Sequence, residues 1–377
     1  PHNLGEVIDA TLALIENPQI DDEELLEIVP GPDFPTGGLI MGRSGARNGL
    51  LKGRGSVIMR ARTSFETMRN GREAIIITEI PYQVNKASLV EKIAELVREK
   101  RVEGISELRD ESDRNGIRVV IETKKDASAE VVLNQLFRYS QLQTSFGVNM
   151  LALNAGTPEQ MSLKDILKAF IKFREDVVAR RTKFELNKAR DRAHVLVGLA
   201  LAVANIDEVI RIIRSSPDPA TARESLLSRD WPASEMAPLI KLIADRRTVM
   251  SDQDTVRLSD EQARAILELR LHRLTALGAD EIGDEAKGLS EKIADLLDIL
   301  RSRARILDII RGELNEVKTA FAVPRRSEFT VGDLDLDDED LIEREEMVVT
   351  FTHGGYVKRT PLTTYRSQHR GGKGHSG

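Results

Sequence analysis

LNKARDRAHVLVGLALAVANIDEVI, Leu186 to Ile210, is the stretch on which the architecture turns. Leu196, Leu199, Val203, Ile206 and Ile210, with Ile213 just beyond, recur at alternating spacings of three and four. That rhythm belongs to a helix packed along a second helix. Upstream, Ile166, Phe170, Phe173, Val177 and Phe184 begin the same stripe, so the spacing predicts one helix from Ser162 to Ser216. At about 1.5 Å per residue it would span about 80 Å. A second stripe runs through Leu289, Ile293, Leu296, Leu300, Leu307, Ile310, Leu314, Val317 and Phe321. Two such stripes joined by a short segment suggest an antiparallel coiled-coil arm with a helical knob at its tip. Within the knob, Leu267, Leu271, Leu274 and Leu277 share one helical face. They are either the knob's own core or a contact with the same knob of a second chain.

Before the arm the texture differs. Leu4, Val7, Ile8, Leu12 and Ile15 lie on one helical face, opened by Asn3 and closed near Pro18. A short helix in DDEELLEIV follows, and PGPDFPTGG then breaks helical structure. From Leu39 to about Leu153, the strand-like SVIMRAR, EAIIITEI and IRVVIET alternate with helical KASLVEKIAELVREK and SAEVVLNQLFRYSQ. This region reads as an α+β domain. After the arm, DLDLDDEDLIEREE carries nine acids against one arginine, a solvated linker that lacks the turn glycine of a calcium loop. MVVTFTHGGYVKRTPLTTY then starts a β domain, with Gly354 and Gly355 at a hairpin turn.

The composition narrows the class. A chain of 377 residues, 41% of them hydrophobic, can build two or three domains. With no cysteine it has neither disulfides nor thiolate zinc sites, which suits a reducing cytoplasm. No apolar run approaches the roughly 18 residues of a membrane span, and the N-terminus lacks a signal-peptide pattern. A cytoplasmic protein without membrane contact is expected. Because it begins at Pro1 and stops after a basic run, it is expected to be an internal piece of a longer polypeptide.

The net charge is −6, yet Met41 to Asn70 holds Arg43, Arg47, Lys52, Arg54, Arg60, Arg62 and Arg69 against the single acid Glu66. In SVIMRAR the alternation places Arg60 and Arg62 on one face of a strand. The cluster is either an exposed polar face or a surface that contacts phosphates. Lys164 to Arg192 is also basic, ten cations to five acids, a pattern a solvated helix tolerates without a function. No catalytic constellation emerges. GGKGHS departs from a phosphate loop, since glycine follows the lysine. Tyr82, in EIPYQVNK, has Lys86 as its nearest cation, and a packed junction explains it better than a nucleophile would. No clustered carboxylates suggest a metal site.

Several phrases now converge: PHNLGEVIDA, GPDFPTGG, EIPYQVNKASLVEKIAELV, EGISELRDESDRNGIRVVIE, NQLFRYSQLQTSFGVNMLAL and LNKARDRAHVLVGLALAVANIDEVI. In this order, from Pro1 to Gly377, the chain resembles the A subunits of the bacterial DNA gyrases, which are type IIA topoisomerases. The resemblance implies a multidomain α+β protein. Residues 1–30 would connect to a winged-helix domain, 31–160 form the α/β tower on DNA, and 161–216 with 284–323 the coiled-coil arm. Residues 217–283 would be the exit-gate dimerisation knob, 324–346 an acidic linker, and 347–377 the first blade of a C-terminal β-pinwheel.

The resemblance also implies site residues and partners. Arg43, Lys52, Arg54, Arg60 and Arg62 would lie along the cleaved duplex. Gln368, His369, Arg370, Gly371, Gly372, Lys373 and Gly374 match the box that marks gyrases, with His369 where arginine or lysine usually stands. The glycines let backbone approach a phosphate, and Arg370 and Lys373 supply charge. The catalytic tyrosine and its neighbouring arginine would precede Pro1, leaving this piece without cleavage activity of its own. ATP and Mg2+ would bind the partner B subunit in an A2B2 assembly that introduces negative supercoils. Two rivals remain: topoisomerase IV, which does not wrap DNA, and a non-enzymatic coiled-coil scaffold of the chromosome.

Overall fold

Asn3 and Asp21 start the first two helices, as their side chains suggest. Asn3 Oδ1 accepts the Glu6 N–H at the head of α1 (Leu4–Glu16), and Asp21 Oδ1 accepts the Glu24 N–H at the head of α2 (Asp22–Ile28). The computed structural model describes residues 1–69, 71–234, 250–269, 276–330, 346–351 and 353–361, with 237, 240–241 and 247–248; for 276–279 and 361 it describes only the backbone. The chain forms two units, Pro1–Leu167 with Phe321–Gly377, and Lys168–Ala320.

Two four-stranded sheets organise the first unit. One has the order β12-β1-β2-β7, from β1 (Leu39–Met41), β2 (Arg54–Arg60), β7 (Gln143–Asn149) and β12 (Glu328–Thr330). Only its β1–β12 pair is parallel. Helix α3 (Ser44–Lys52) lies against β2 so closely that a Cβ on Gly45 would stand 1.9 Å from the Ser56 carbonyl oxygen. Glycine is required there. The second sheet, β3-β4-β6-β5, is antiparallel throughout: β3 (Arg62–Thr67), β4 (Glu73–Glu79), β5 (Ile105–Asp110) and β6 (Val119–Thr123). Its inner face, with Ile75, Ile77 and Ile121, packs on α4 (Lys86–Arg98) through Leu89, Ile93 and Leu96, and on α5 (Ala129–Tyr139) through Leu133, Leu136 and Phe137. The expected α+β domain is therefore present. A hairpin of β8 (Leu151–Asn154) and β9 (Thr157–Gln160) turns at Ala155 and Gly156, both at positive φ.

Two sequence expectations need correction in this unit. SVIMRAR is not one strand: buried Ala61, whose N–H donates to the Leu142 carbonyl at 2.8 Å, is the corner where the chain leaves one sheet for the other. Arg60 ends β2 and Arg62 begins β3, so they do not share a strand face. Residues 328–330, expected within the acidic linker, instead form β12. The rest of that linker, 331–345, lies outside the described residues. The hairpin of β13 (Met347–Phe351) and β14 (Val357–Pro361) matches the expected strand pair, with Gly355 at φ +83°.

In the second unit, α6 (Leu163–Ala204, its first turn in the other unit) runs opposite to α10 (Ala276–Arg301) and α11 (Arg303–Phe321). Arg192 pairs with Glu285 early in α10, and Arg174 with Glu313 late in α11. The predicted single helix is broken. Asn205 leaves helical geometry at φ −117°, ψ 35°, its side-chain amide donating to the Leu201 carbonyl at 2.9 Å, and α7 (Ile206–Ser215) starts anew. The break moves the buried face: Val209 and Ile212 are buried while Ile210 and Ile213 are exposed. Further upstream the covered residues are Leu167, Ile171, Val178 and Leu186, whereas Phe170, Phe173 and Phe184 face solvent. The second stripe holds as far as Ile310, with Ile293, Leu296 and Ile310 buried, whereas Val317 and Phe321 at its end face solvent. The tip adds α8 (Pro219–Leu227), a strand pair β10 (Asp230–Pro232) and β11 (Thr255–Arg257), and α9 (Asp260–Leu267) around buried Trp231. Those strands depart from the all-helical knob expected.

Candidate nucleic-acid interface

The basic cluster sorts into two kinds of cation. Arg43 stands at the head of α3 and Lys52 at its end, Gly53 turns the chain at φ +73°, and Arg54 opens β2. All three residues reach solvent. The Lys52 and Arg54 side chains form no ion pair or hydrogen bond among the described residues, and that of Arg43 only lies over the Phe329 ring, 5.7 Å from its centre. Cations held on regular elements, with their charge unanswered, are what a phosphate-contacting surface requires. Arg47 is different, since it pairs with Glu23.

Arg60 and Arg62 are engaged inside the fold. Arg60 is half-buried, its guanidinium 4.4 Å from the centre of the Phe137 ring, with Nε donating to Gln143 Oε1 at 2.7 Å. Burial pulls its pKa below the ordinary guanidinium value. Arg62 lies between Glu79 and Glu328, at 3.1 Å from each. The hydrogen bond it donates to Glu328 is the first cause of its raised pKa, with the Glu79 bond and charge adding to it.

Tyr82 packs with Phe34 at 5.5 Å and Phe146 at 6.1 Å between ring centres, the packed junction expected of it. Leu267 is partly buried against the tip core. Leu271 and Leu274, and the whole box Gln368 to Gly374, lie outside the described residues, as does the side chain of Leu277. Three cations of α6 face acids across the helix pair: Arg174 and Arg181 on Glu313, and Arg192 on Glu285. Among the described residues no group of three His, Asp or Glu is placed to hold a metal, and no helix is long and apolar enough to cross a membrane.

Sequence reasoning missed two polar centres, one partly and one wholly buried. One joins Arg325 to Glu6 and Asp33, residues almost the length of the chain apart. The other is His194, wholly buried, with Nε2 2.7 Å from Ser259 Oγ and Nδ1 2.7 Å from Thr248 Oγ1. A histidine inside an otherwise apolar helical run was its only signal.

The family model of the DNA gyrase/topoisomerase IV A subunit matches residues 1–315, and that of the DNA gyrase C-terminal domain, a β-propeller, matches 346–376. The DNA gyrase A subunit of Granulibacter bethesdensis is 59% identical over 373 residues, which is 99% of this chain and 40% of that protein. Its counterpart from Rickettsia felis is 56% identical and that from Pseudomonas aeruginosa 50%, each over 100% of this chain and 42% of the relative. This chain thus spans about two-fifths of the length of the curated relatives it matches. A match over residues 1–315, together with relatives aligned over nearly the whole chain, shows that the chain belongs to the family of DNA gyrase and topoisomerase IV A subunits.

Proposed function

We propose that this chain is the DNA-binding and gate-forming part of a DNA gyrase A subunit, a type IIA topoisomerase that works in an A2B2 complex in the cytoplasm. Residues 31–160 act as the tower on the cleaved duplex, through Arg43, Lys52 and Arg54, with Arg60 and Arg62 shaping the same surface from within. The antiparallel pair of α6 with α10 and α11 serves as the arm, and the tip, through Leu267, Leu271, Leu274 and Leu277, as the exit gate between two copies. The complete enzyme cuts one duplex, passes another and reseals the first. The B subunit supplies ATP hydrolysis and Mg2+, and this piece binds neither.

The observation that carries the gyrase reading over topoisomerase IV is the match of 346–376 to a gyrase C-terminal domain, since it spans the box. A scaffold without enzymatic partners would leave that match and the A-subunit body unexplained. The test uses the full-length protein carrying Arg370→Ala and Lys373→Ala, reconstituted with its B subunit. Wrapping fixes the hand of the trapped crossing, whereas strand passage does not need it, so supercoiling should be lost and relaxation kept. Normal supercoiling by this variant would sink the reading.

A further inference from the structure

Residues 323–330 close a polar zipper onto the start of the chain and onto the segment 31–41. Arg325 is its centre, and all five of its guanidinium N–H groups have acceptors. Nε and Nη2 fork onto Glu6 at 2.7 and 2.6 Å, Nη2 also donates to the Gly31 carbonyl at 3.0 Å, and Nη1 donates to the Pro32 and Ser327 carbonyls at 2.7 and 3.5 Å. Beside it, Asp33 Oδ1 accepts the Arg326 and Ser327 N–H groups, both at 2.9 Å. Ser327, wholly buried, accepts the Phe34 N–H and donates to the Gly37 carbonyl. Asn3 completes the set, its amide donating to Asp33 and to the Val323 carbonyl. β12 then pairs in parallel with β1, and the acidic run begins within three residues of it.

So dense a set of bonds exceeds what ending a helix requires, and it sits where the chain departs for the segment matched by the C-terminal propeller. We propose that this zipper is the anchor that fixes the exit of the linker on the first unit, with Arg325 as its positioning residue. The inference rests on the function proposed above. In such an enzyme, DNA wrapped on the C-terminal domain biases the gate only if the linker leaves from a fixed point. A loosened anchor lets the wrapped DNA be held without dictating the direction of passage.

The test is Arg325→Gln in the full-length protein reconstituted with its B subunit. Arg325→Lys keeps the charge but cannot fork, and it carries the same measurement should the first variant fail to fold. ATP-dependent supercoiling should fall about tenfold, within the span of ordinary couplings between sites. ATP-independent relaxation should stay within about twofold of the parent, and amide exchange at 323–330 should quicken. Unchanged supercoiling, or supercoiling and relaxation falling together in a folded variant, would overturn the anchor. Absence of supercoiling by the parent enzyme would instead count against the proposed function.

Discussion

The guanidinium of Arg60 lies over the Phe137 ring, 4.4 Å from its centre, and ties the end of β2 to α5. Its Nε holds Gln143, while Nη2 is buried without a hydrogen-bond partner. A planar, weakly hydrated cation tolerates such a place better than an ammonium does. Arg60→Lys should therefore destabilise the first unit by about 1 kcal/mol or more. Arg60→Met, which removes the charge and keeps much of the packing, should cost less. Urea unfolding of the two variants measures the order; a lysine variant as stable as the parent would contradict the stacking argument.

The exposed and engaged cations should also separate in salt titrations of duplex binding. Removing one phosphate-binding cation, Lys52 or Arg54, should flatten the slope of log affinity against log salt by about 0.9. The weakening should be the same for unrelated sequences, because backbone contacts carry no base information. Arg62→Gln should flatten the slope less, since Glu79 and Glu328 already answer that charge. Equal slopes for Arg54→Gln and the parent would remove Arg54 from the interface.

How far the sequence reached is visible residue by residue. The second stripe as far as Ile310 and the cap at Asn3 were legible because each depends on neighbours within a turn or two. The break at Asn205 was not, since a stripe of threes and fours continues through it on paper. Only the competition of its amide for the Leu201 carbonyl reveals the new register. Ala61 hid the sheet switch for a related reason: alternation of side chains is the same on both sides of the corner. Exposure of Arg54 and engagement of Arg60 are tertiary facts, and no spacing separates them. Arg325 and Glu6 meet only because the chain returns to its beginning, which no local pattern encodes.

Asp110 gives a pH dependence with a definite sign. The hydrogen bond from Lys86 at 2.8 Å, followed by those from the Ser112 hydroxyl and N–H, lowers its pKa to about 2 from the usual 3.8. An acid with a depressed folded pKa contributes stability that is complete above the unfolded value. That contribution should fall away as pH drops from about 4 through 2. The site is exposed, so the effect is small and should shrink further in salt. Asp110→Asn should lower the melting temperature slightly at neutral pH and converge with the parent near pH 2, which flattens the acid limb of the profile. An acid limb identical to that of the parent would show that Asp110 gains nothing from its partners.

His194 is the keystone of the tip's polar interior. With one ring nitrogen on Ser259 and the other on Thr248, it satisfies two hydroxyls at once. Its carbonyl accepts the Gln262 side-chain amide at 2.7 Å, and Gln262 closes a capping box with Ser259 at the head of α9. Gly198, one turn along α6, leaves room for this: a Cβ there would stand 2.6 Å from that of Gln262. His194→Ala would open a cavity and strand buried polar groups in one step, at a cost of about 2–4 kcal/mol. His194→Gln, which retains a donor and an acceptor, should recover part of that loss. Gly198→Ala should be destabilising as well, since Gln262 would have to leave its place in the box. Thermal unfolding of the three variants provides the check. If His194→Ala melted with the parent, neither the packing nor the hydrogen bonds of the imidazole would contribute to stability, and the seat of α9 would have to rest on its apolar contacts alone.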